Sequence, residues 1–191
     1  MKKLIVVLCV IFSLACFTAF AEGADNSNTI LLWEHTFIYE NENNGEPVEQ
    51  TVQVTLTTAE PVTMSVVQNE VSDGFIGIVS RPGFAPVSID IYPAEYKPHA
   101  NLKNATDDER QILIDYMTEQ FAEGQYTVED TVLEDGSVYI GVGDNTIRSV
   151  MTVIEDVEME LIQAHFEEHF KPLEQKDHEF ATEILKGITI K

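Results

Sequence analysis

Cysteine is nearly absent from this 191-residue sequence, and both of its cysteines, Cys9 and Cys16, lie close to the N-terminus. The same stretch carries Lys2 and Lys3, then an apolar run, then the small-x-small sequence Ala19-Phe20-Ala21. This order is typical of a secretory signal peptide. A chain cleaved after this sequence has no disulfide, no thiolate metal ligand and no cysteine nucleophile.

Residues 1–21 are therefore predicted to be a signal peptide, and the product is expected to be extracytoplasmic, either periplasmic or secreted. A lipoprotein site at Ser13-Leu14-Ala15-Cys16 is a second, less typical interpretation, because leucine normally stands at the position of Ser13. Residues 22–29 are small and polar and predict a flexible leader. Residues 30–191 are expected to form a single domain without a membrane span.

Basic residues are also few, since 11 lysines and arginines stand against 33 aspartates and glutamates and give a formal net charge of −22. A polyanion of this kind repels phosphate groups, which excludes nucleic acid as a partner. It attracts divalent cations, cationic peptides and basic protein surfaces. Solubility outside the cytoplasm is the plainer explanation of the charge, because net charge does not determine fold or activity.

Alternation of polar and apolar residues predicts a β-hairpin over residues 30–58. The dipeptide Asn44-Gly45 favours a two-residue type I′ turn, which pairs Trp33 with Leu56. His35 is expected to pack inside the hairpin with a bonded ring nitrogen, although its place in an aromatic row also suits a pocket. That row consists of Trp33, His35, Phe37 and Tyr39.

Two amphipathic helices are predicted in the second half of the chain. The first begins at the capping box Thr106-Asp107-Asp108-Glu109, presents one apolar stripe and ends at Gly124. The second runs from Glu174 to Lys186 and ends at Gly187, before a short final strand. The apolar stripe of the first helix consists of Ile112, Leu113, Tyr116, Met117 and Phe121.

Short alternating segments predict the remaining strands. Residues 147–166 favour two strands that turn at Glu155-Asp156, because β-branched residues are concentrated there. A helix is the alternative for this segment, since apolar residues also recur there at helical spacing. The other predicted strands are residues 62–68, 75–79, 87–92, 126–133 and 138–142.

These elements predict an α+β fold, in which two helices pack on a mainly antiparallel, twisted sheet with an additional N-terminal hairpin. Residues 139–190 comprise an aromatic strand after an Asp-Gly turn, two further strands, and PLEQKDHEFATEILKGITI, a helix with a terminal strand. This order resembles the PsbP-like fold and similarly built exported bacterial proteins over about residues 62–190. These families usually carry serine where Gly187 stands. The resemblance implies an accessory or binding module with no catalytic residues to assign.

One motif has the spacing of a zinc site. His165-Phe166-Glu167-Glu168-His169 follows the H-x-x-E-H order, in which His165 and His169 would bind zinc and Glu168 would activate water. His178 is a further candidate ligand in a non-catalytic zinc site. On the strand prediction Glu168 points away from the two histidines, which favours surface residues without metal.

Two functional hypotheses follow. The first is a non-enzymatic, exported binding or accessory module of the cell envelope or secretome, without a cofactor, whose partner is an unidentified and preferably cationic protein or envelope component. The alternative is a zinc-dependent hydrolase centred on His165, Glu168 and His169.

Overall fold

The described part of the chain begins after the predicted signal peptide. The computed structural model describes residues 28–40, 45–67, 73–94, 102, 105–119, 126–132, 136, 138–154, 156–166 and 171–191. The predicted signal peptide, most of the predicted leader, Asn44, Gly124, Glu168 and His169 lie outside these residues. None of the described helices is both long and apolar enough to cross a membrane.

Antiparallel strands dominate the described residues, and two helices accompany them, which confirms the predicted α+β class. The helices are α1, Asp107–Thr118, and α2, Gln175–Gly187. The strands are β1, Thr29–Glu40; β2, Pro47–Thr57; β3, Thr63–Val67; β4, Phe75–Ser80; β5, Val87–Pro93; β6, Thr127–Val132; β7, Val138–Gly143; β8, Ile147–Ile154; β9, Val157–Ala164; and β10, Ile188–Ile190.

The strands form two sheets. The smaller sheet has the order β1-β2-β10, and the larger has the order β3-β4-β5-β9-β8-β7-β6. All of the pairings are antiparallel. The central pair of the larger sheet, β5 and β9, joins residues that are about 70 positions apart in the sequence. This long-range pairing brings Asp90 of β5 beside Glu160 of β9.

The N-terminal hairpin is present, but its predicted register is wrong. Trp33 pairs with Val54 instead of Leu56, because the register of the hairpin is centred one position earlier in the chain than a turn at Asn44-Gly45 requires. A shift of two residues leaves the side chains of residues 33–40 on their predicted faces, since side chains alternate with a period of two. The register shift between Leu31 and Trp33 places Leu31 on the opposite face from Trp33. Gly45 has a φ of 69°, the left-handed conformation that favours glycine. The aromatic row therefore still faces the apolar residues of β2.

His35 is half-buried within this aromatic row. Its ring stacks on Trp33 with centroids 5.3 Å apart and meets the edge of Phe37 at 4.6 Å. The predicted hydrogen bond of a ring nitrogen is not found among the described residues. Ring stacking therefore holds His35 in place of a polar contact.

The segment 147–166 contains strands β8 and β9, as favoured from the sequence, and the helical alternative is wrong. The capping box of α1 is also confirmed, since Thr106 and Glu109 each accept a hydrogen bond from the other's backbone. The predicted apolar stripe of α1 is wrong in part. Leu113 and Met117 are buried, whereas Ile112 and Tyr116 are exposed.

Two hydrophobic clusters lie on different parts of the fold. The first contains residues of β1, β2, α2 and the inner face of the larger sheet; its largest buried side chains include Trp33, Leu56, Ile89, Met159 and Phe180. The second joins α1 to β7 and β8 through Leu113, Met117, Val138, Ile140, Val142 and Met151. Alternation along the central strands explains the division, because successive side chains point to opposite faces.

At position 187 only glycine fits, because the backbone there lies very close to the backbone of Thr57. A Cβ atom at this position would collide with the carbonyl oxygen of Thr57, where the end of α2 meets β2. A residue with a Cβ atom, serine included, does not fit here without movement of the backbone.

Candidate functional site

The structure describes two of the four residues of the zinc-site hypothesis, His165 and His178. His165 follows β9, and its Nε2 lies 3.6 Å from Oδ2 of Asp177 in α2. His178 lies in α2 and contributes to a shallow surface depression lined by that helix. Among the described residues, no three histidine, aspartate or glutamate side chains converge on a possible metal position. Glu168 and His169 lie outside the described residues, so the H-x-x-E-H hypothesis stays a prediction.

Asp177, the residue that His165 faces, has a structural role. It is fully buried, and its carboxylate accepts hydrogen bonds from the backbone of Ala85 at 2.7 Å and of Glu174 at 2.8 Å. Burial alone would raise the pKa of Asp177, but these bonds and the nearby His165 and Lys176 hold that pKa below its ordinary value. Each of its oxygens thus accepts one backbone hydrogen bond, and the bond from Ala85 fastens α2 to the loop before β5.

A second group of carboxylates lies on the larger sheet, on the face opposite the first hydrophobic cluster. Asp90 of β5 pairs directly with Glu160 of β9, and Glu158 occupies the neighbouring position on the same face of β9. Side chains directly opposite each other in an antiparallel pair have Cβ atoms about 4.5–5.5 Å apart. We refer to Asp90, Glu158 and Glu160 as the acidic strip.

Each member of the Asp90 and Glu160 pair accepts one hydroxyl hydrogen bond. Ser88 donates to Asp90 at 2.8 Å, and Ser149 donates to Glu160 at 2.5 Å. Burial nevertheless raises the pKa of Asp90. Burial also raises the pKa of Glu160, and the negative charges of Asp90 and Glu158 raise it further. The fold therefore holds like charges together at a free-energy cost.

The surroundings of the acidic strip are mixed in character. Ile76 and Ile78 of β4 lie beside Asp90 and Ser88 in the register, and both isoleucines are half-buried. Tyr116 of α1 is 42% exposed; burial raises the pKa of its hydroxyl, with a contribution from the charges of Glu158 and Glu160.

No basic side chain compensates for the charge of this strip within the described part of the chain. The ion pairs there join Arg81, Arg110, Arg148 and Lys176 to other carboxylates. Two partly exposed carboxylates with raised pKa values, beside apolar and aromatic groups, form a site suited to an organic cation such as guanidinium or ammonium.

Sequence patterns alone did not identify this site, although they show which residues of each strand share a face. Alternation along β5 and β9 places Ser88, Asp90, Glu158 and Glu160 on the face opposite the apolar residues of these strands. The missing information was the pairing of β5 with β9, which are separated in the chain by α1 and three strands.

Comparison of the chain with protein-family models, with curated proteins and with solved structures found no match.

Replacing Glu160 with glutamine should stabilise the protein at neutral pH. Glutamine retains an acceptor for Ser149 and removes a charge that burial and Asp90 disfavour. We expect a gain of about 0.5–2 kcal/mol, the usual range for correcting surface charge. The pKa of Glu160 is raised in the fold, so the native protein takes up this proton first as the pH falls. The gain should therefore disappear as the pH falls through this raised pKa towards the ordinary value of 4.5.

Urea unfolding at several pH values measures this effect, and Glu49→Gln is the control because Glu49 is an exposed glutamate on β2. A stability gain from Glu160→Gln that matches the control at every pH would contradict a specific like-charge cost in the acidic strip.

Proposed function

We propose that this chain is an exported, non-enzymatic binding module, and that the acidic strip contacts a cationic segment of a protein or another envelope component. The observation that carries the proposal is the direct pairing of Asp90 with Glu160, for which the described part of the chain offers no basic partner and whose pKa values are both raised. Proteins tolerate destabilising arrangements of this kind at functional sites, where a ligand relieves the cost.

The chemistry of the strip favours guanidinium groups. A planar guanidinium donates paired hydrogen bonds to carboxylates, and it also stacks on aromatic rings such as that of Tyr116. The isoleucines of β4 offer apolar contact for the methylene stem of the same side chain. The net charge of −22 would accelerate the approach of any basic partner.

In this proposal each helix packs on a different face of the larger sheet. On the face where α1 packs, the partner would bind to the part formed by β4, β5 and β9. Support comes from the two hydrophobic clusters, because α2 and α1 contribute to different ones. The resemblance to the PsbP-like fold stays a prediction, as does the export signal in residues 1–21. The zinc-hydrolase hypothesis has no geometric support among the described residues.

Binding of a labelled oligoarginine peptide, measured by fluorescence anisotropy, tests the proposal. Neutralising the pair in Asp90→Asn/Glu160→Gln should weaken binding about tenfold or more, since a lost close charge contact costs about 1.4 kcal/mol or more. The control Glu40→Gln/Glu49→Gln removes the same amount of charge from exposed positions of the hairpin. It should change the affinity less than about twofold, because salt screens distant exposed charges.

Equal weakening by the two double variants would show that only the overall charge of the protein attracts the peptide. Absence of binding even at low ionic strength would reject the acidic strip as a cation site. Either result would contradict the proposed function.

A further inference from the structure

Strand β3 forms one end of the larger sheet in the described part of the chain. An edge strand presents unpaired backbone groups to which another strand can bind, and proteins usually protect such edges with charges, bulges or short length. The four edges of the two sheets therefore provide an internal comparison.

Three of these edges carry such a protection. β1 has a register shift between Leu31 and Trp33 and carries exposed glutamates. β10 is only three residues long. β6 carries Glu129 and Asp130, which pair with Arg148 and Arg110. Each feature discourages the addition of a further strand.

β3 has none of them. Its sequence, Thr63-Met64-Ser65-Val66-Val67, contains no charge and no proline, and its pairing with β4 is continuous. Val66 and Val67 are 38% and 43% exposed. In a chain with a net charge of −22, an uncharged, β-branched and exposed edge is the one most open to strand addition.

We propose that β3 binds an extended, basic segment of a partner protein, which adds to the larger sheet as an additional antiparallel or parallel strand. This inference rests on the proposed function for the cationic character of the partner and adds the mode of recognition. Backbone hydrogen bonds along β3 would supply affinity, and alternate side chains of the segment would contact Met64 and Val66.

Charge determines which occupant fits. Two copies of this chain joined through β3 would bring two polyanions together, whereas a basic segment is attracted.

Carboxylates lie near both ends of strand β3. Glu60 precedes β3 with a 73% exposed side chain, and its contact with Arg81 is 3.8 Å because Arg81 pairs more closely with Glu183. Asp73, beyond the other end, is exposed. The expected segment therefore has apolar residues in its centre and lysine or arginine at its ends.

The probe is a labelled peptide of alternating threonine and valine with a lysine at each end. Val66→Lys places a charge on the edge, and Val128→Lys places the same charge on an equally exposed valine of β6, at the opposite edge of the sheet. We expect Val66→Lys to weaken binding about tenfold or more and Val128→Lys about twofold or less. Peptide binding to the wild-type protein should also slow hydrogen exchange of backbone amides in β3, a readout that does not depend on any variant.

Equal weakening by the two lysine variants, unchanged exchange in β3 or no binding of the peptide would overturn the proposal. Sedimentation of the wild-type protein alone tests the other occupant, and self-association abolished by Val66→Lys would replace the partner segment with a second copy. The oligoarginine measurement is independent, since a peptide that binds the acidic strip need not pair with β3. Failure of oligoarginine to bind the acidic strip therefore does not imply that the threonine-valine peptide fails to bind β3, and the reverse also holds.

Discussion

Trp33→Ala should lower the free energy of unfolding by about 3–5 kcal/mol, the usual cost of truncating a buried tryptophan. The side chain is only 6% exposed and lies in the hydrophobic cluster between the hairpin and the larger sheet. Its indole N–H donates to the carbonyl oxygen of Asp73 at 2.8 Å. The variant would therefore lose apolar contacts, stacking on His35 and a hydrogen bond together.

Urea unfolding followed by circular dichroism measures this loss, because the protein contains only one tryptophan and the variant has no indole fluorescence. Trp33→Phe retains a ring without the N–H group and should cost less. Thr51→Ala is the control on the opposite face of the hairpin, where an exposed hydroxyl pairs with Thr36, and it should cost under about 1 kcal/mol. Similar small losses for Trp33→Ala and Thr51→Ala would show that the hairpin adds little to the core.

The hairpin also shows what the sequence can predict and where it fails. Alternation determines which side chains share a face, so the aromatic row was predicted correctly from neighbouring residues alone. The register depends on where the turn is centred, and Asn44-Gly45 suggested a centre one position later than the observed pairing of Glu40 with Pro47 requires. An error of two residues changed the partners and left the aromatic row on its predicted face.

The candidate site was beyond prediction for a different reason. In the sequence, Asp90 and Glu160 are two ordinary polar residues on separate predicted strands. They interact only because β5 and β9 are neighbours in the sheet. The same is true of Asp177 and Ala85, which are 92 residues apart. The H-x-x-E-H spacing is visible in the sequence, yet His165 faces Asp177, a residue with no place in that motif. Local patterns predict helices and strands, whereas the contacts between these side chains depend on the pairing of distant segments.

Asp177→Ala should be the second strongly destabilising substitution, with an expected loss of about 3–5 kcal/mol, as for the breaking of a buried charged network. The carboxylate is fully buried and receives the backbone N–H groups of Ala85 and Glu174. Alanine would leave both donors without their partner and remove the first-turn interaction of α2. Asp108→Ala is the matched control, because Asp108 is an exposed acidic residue in the first turn of α1 and should cost under about 1 kcal/mol.

The pH dependence of the same variant separates lost charge interactions from lost packing. The pKa of Asp177 is below its ordinary value of 3.8, so the unfolded chain takes up this proton before the native protein does as the pH falls. The stability that Asp177 contributes is therefore complete well above pH 3.8 and is lost as the pH falls through the lower pKa of the folded state. The difference between the wild-type protein and Asp177→Ala, measured by urea unfolding from neutral to acidic pH, should narrow in that window. A difference that stays constant across this range would assign the loss to packing alone and contradict the role of the charged carboxylate in fastening α2.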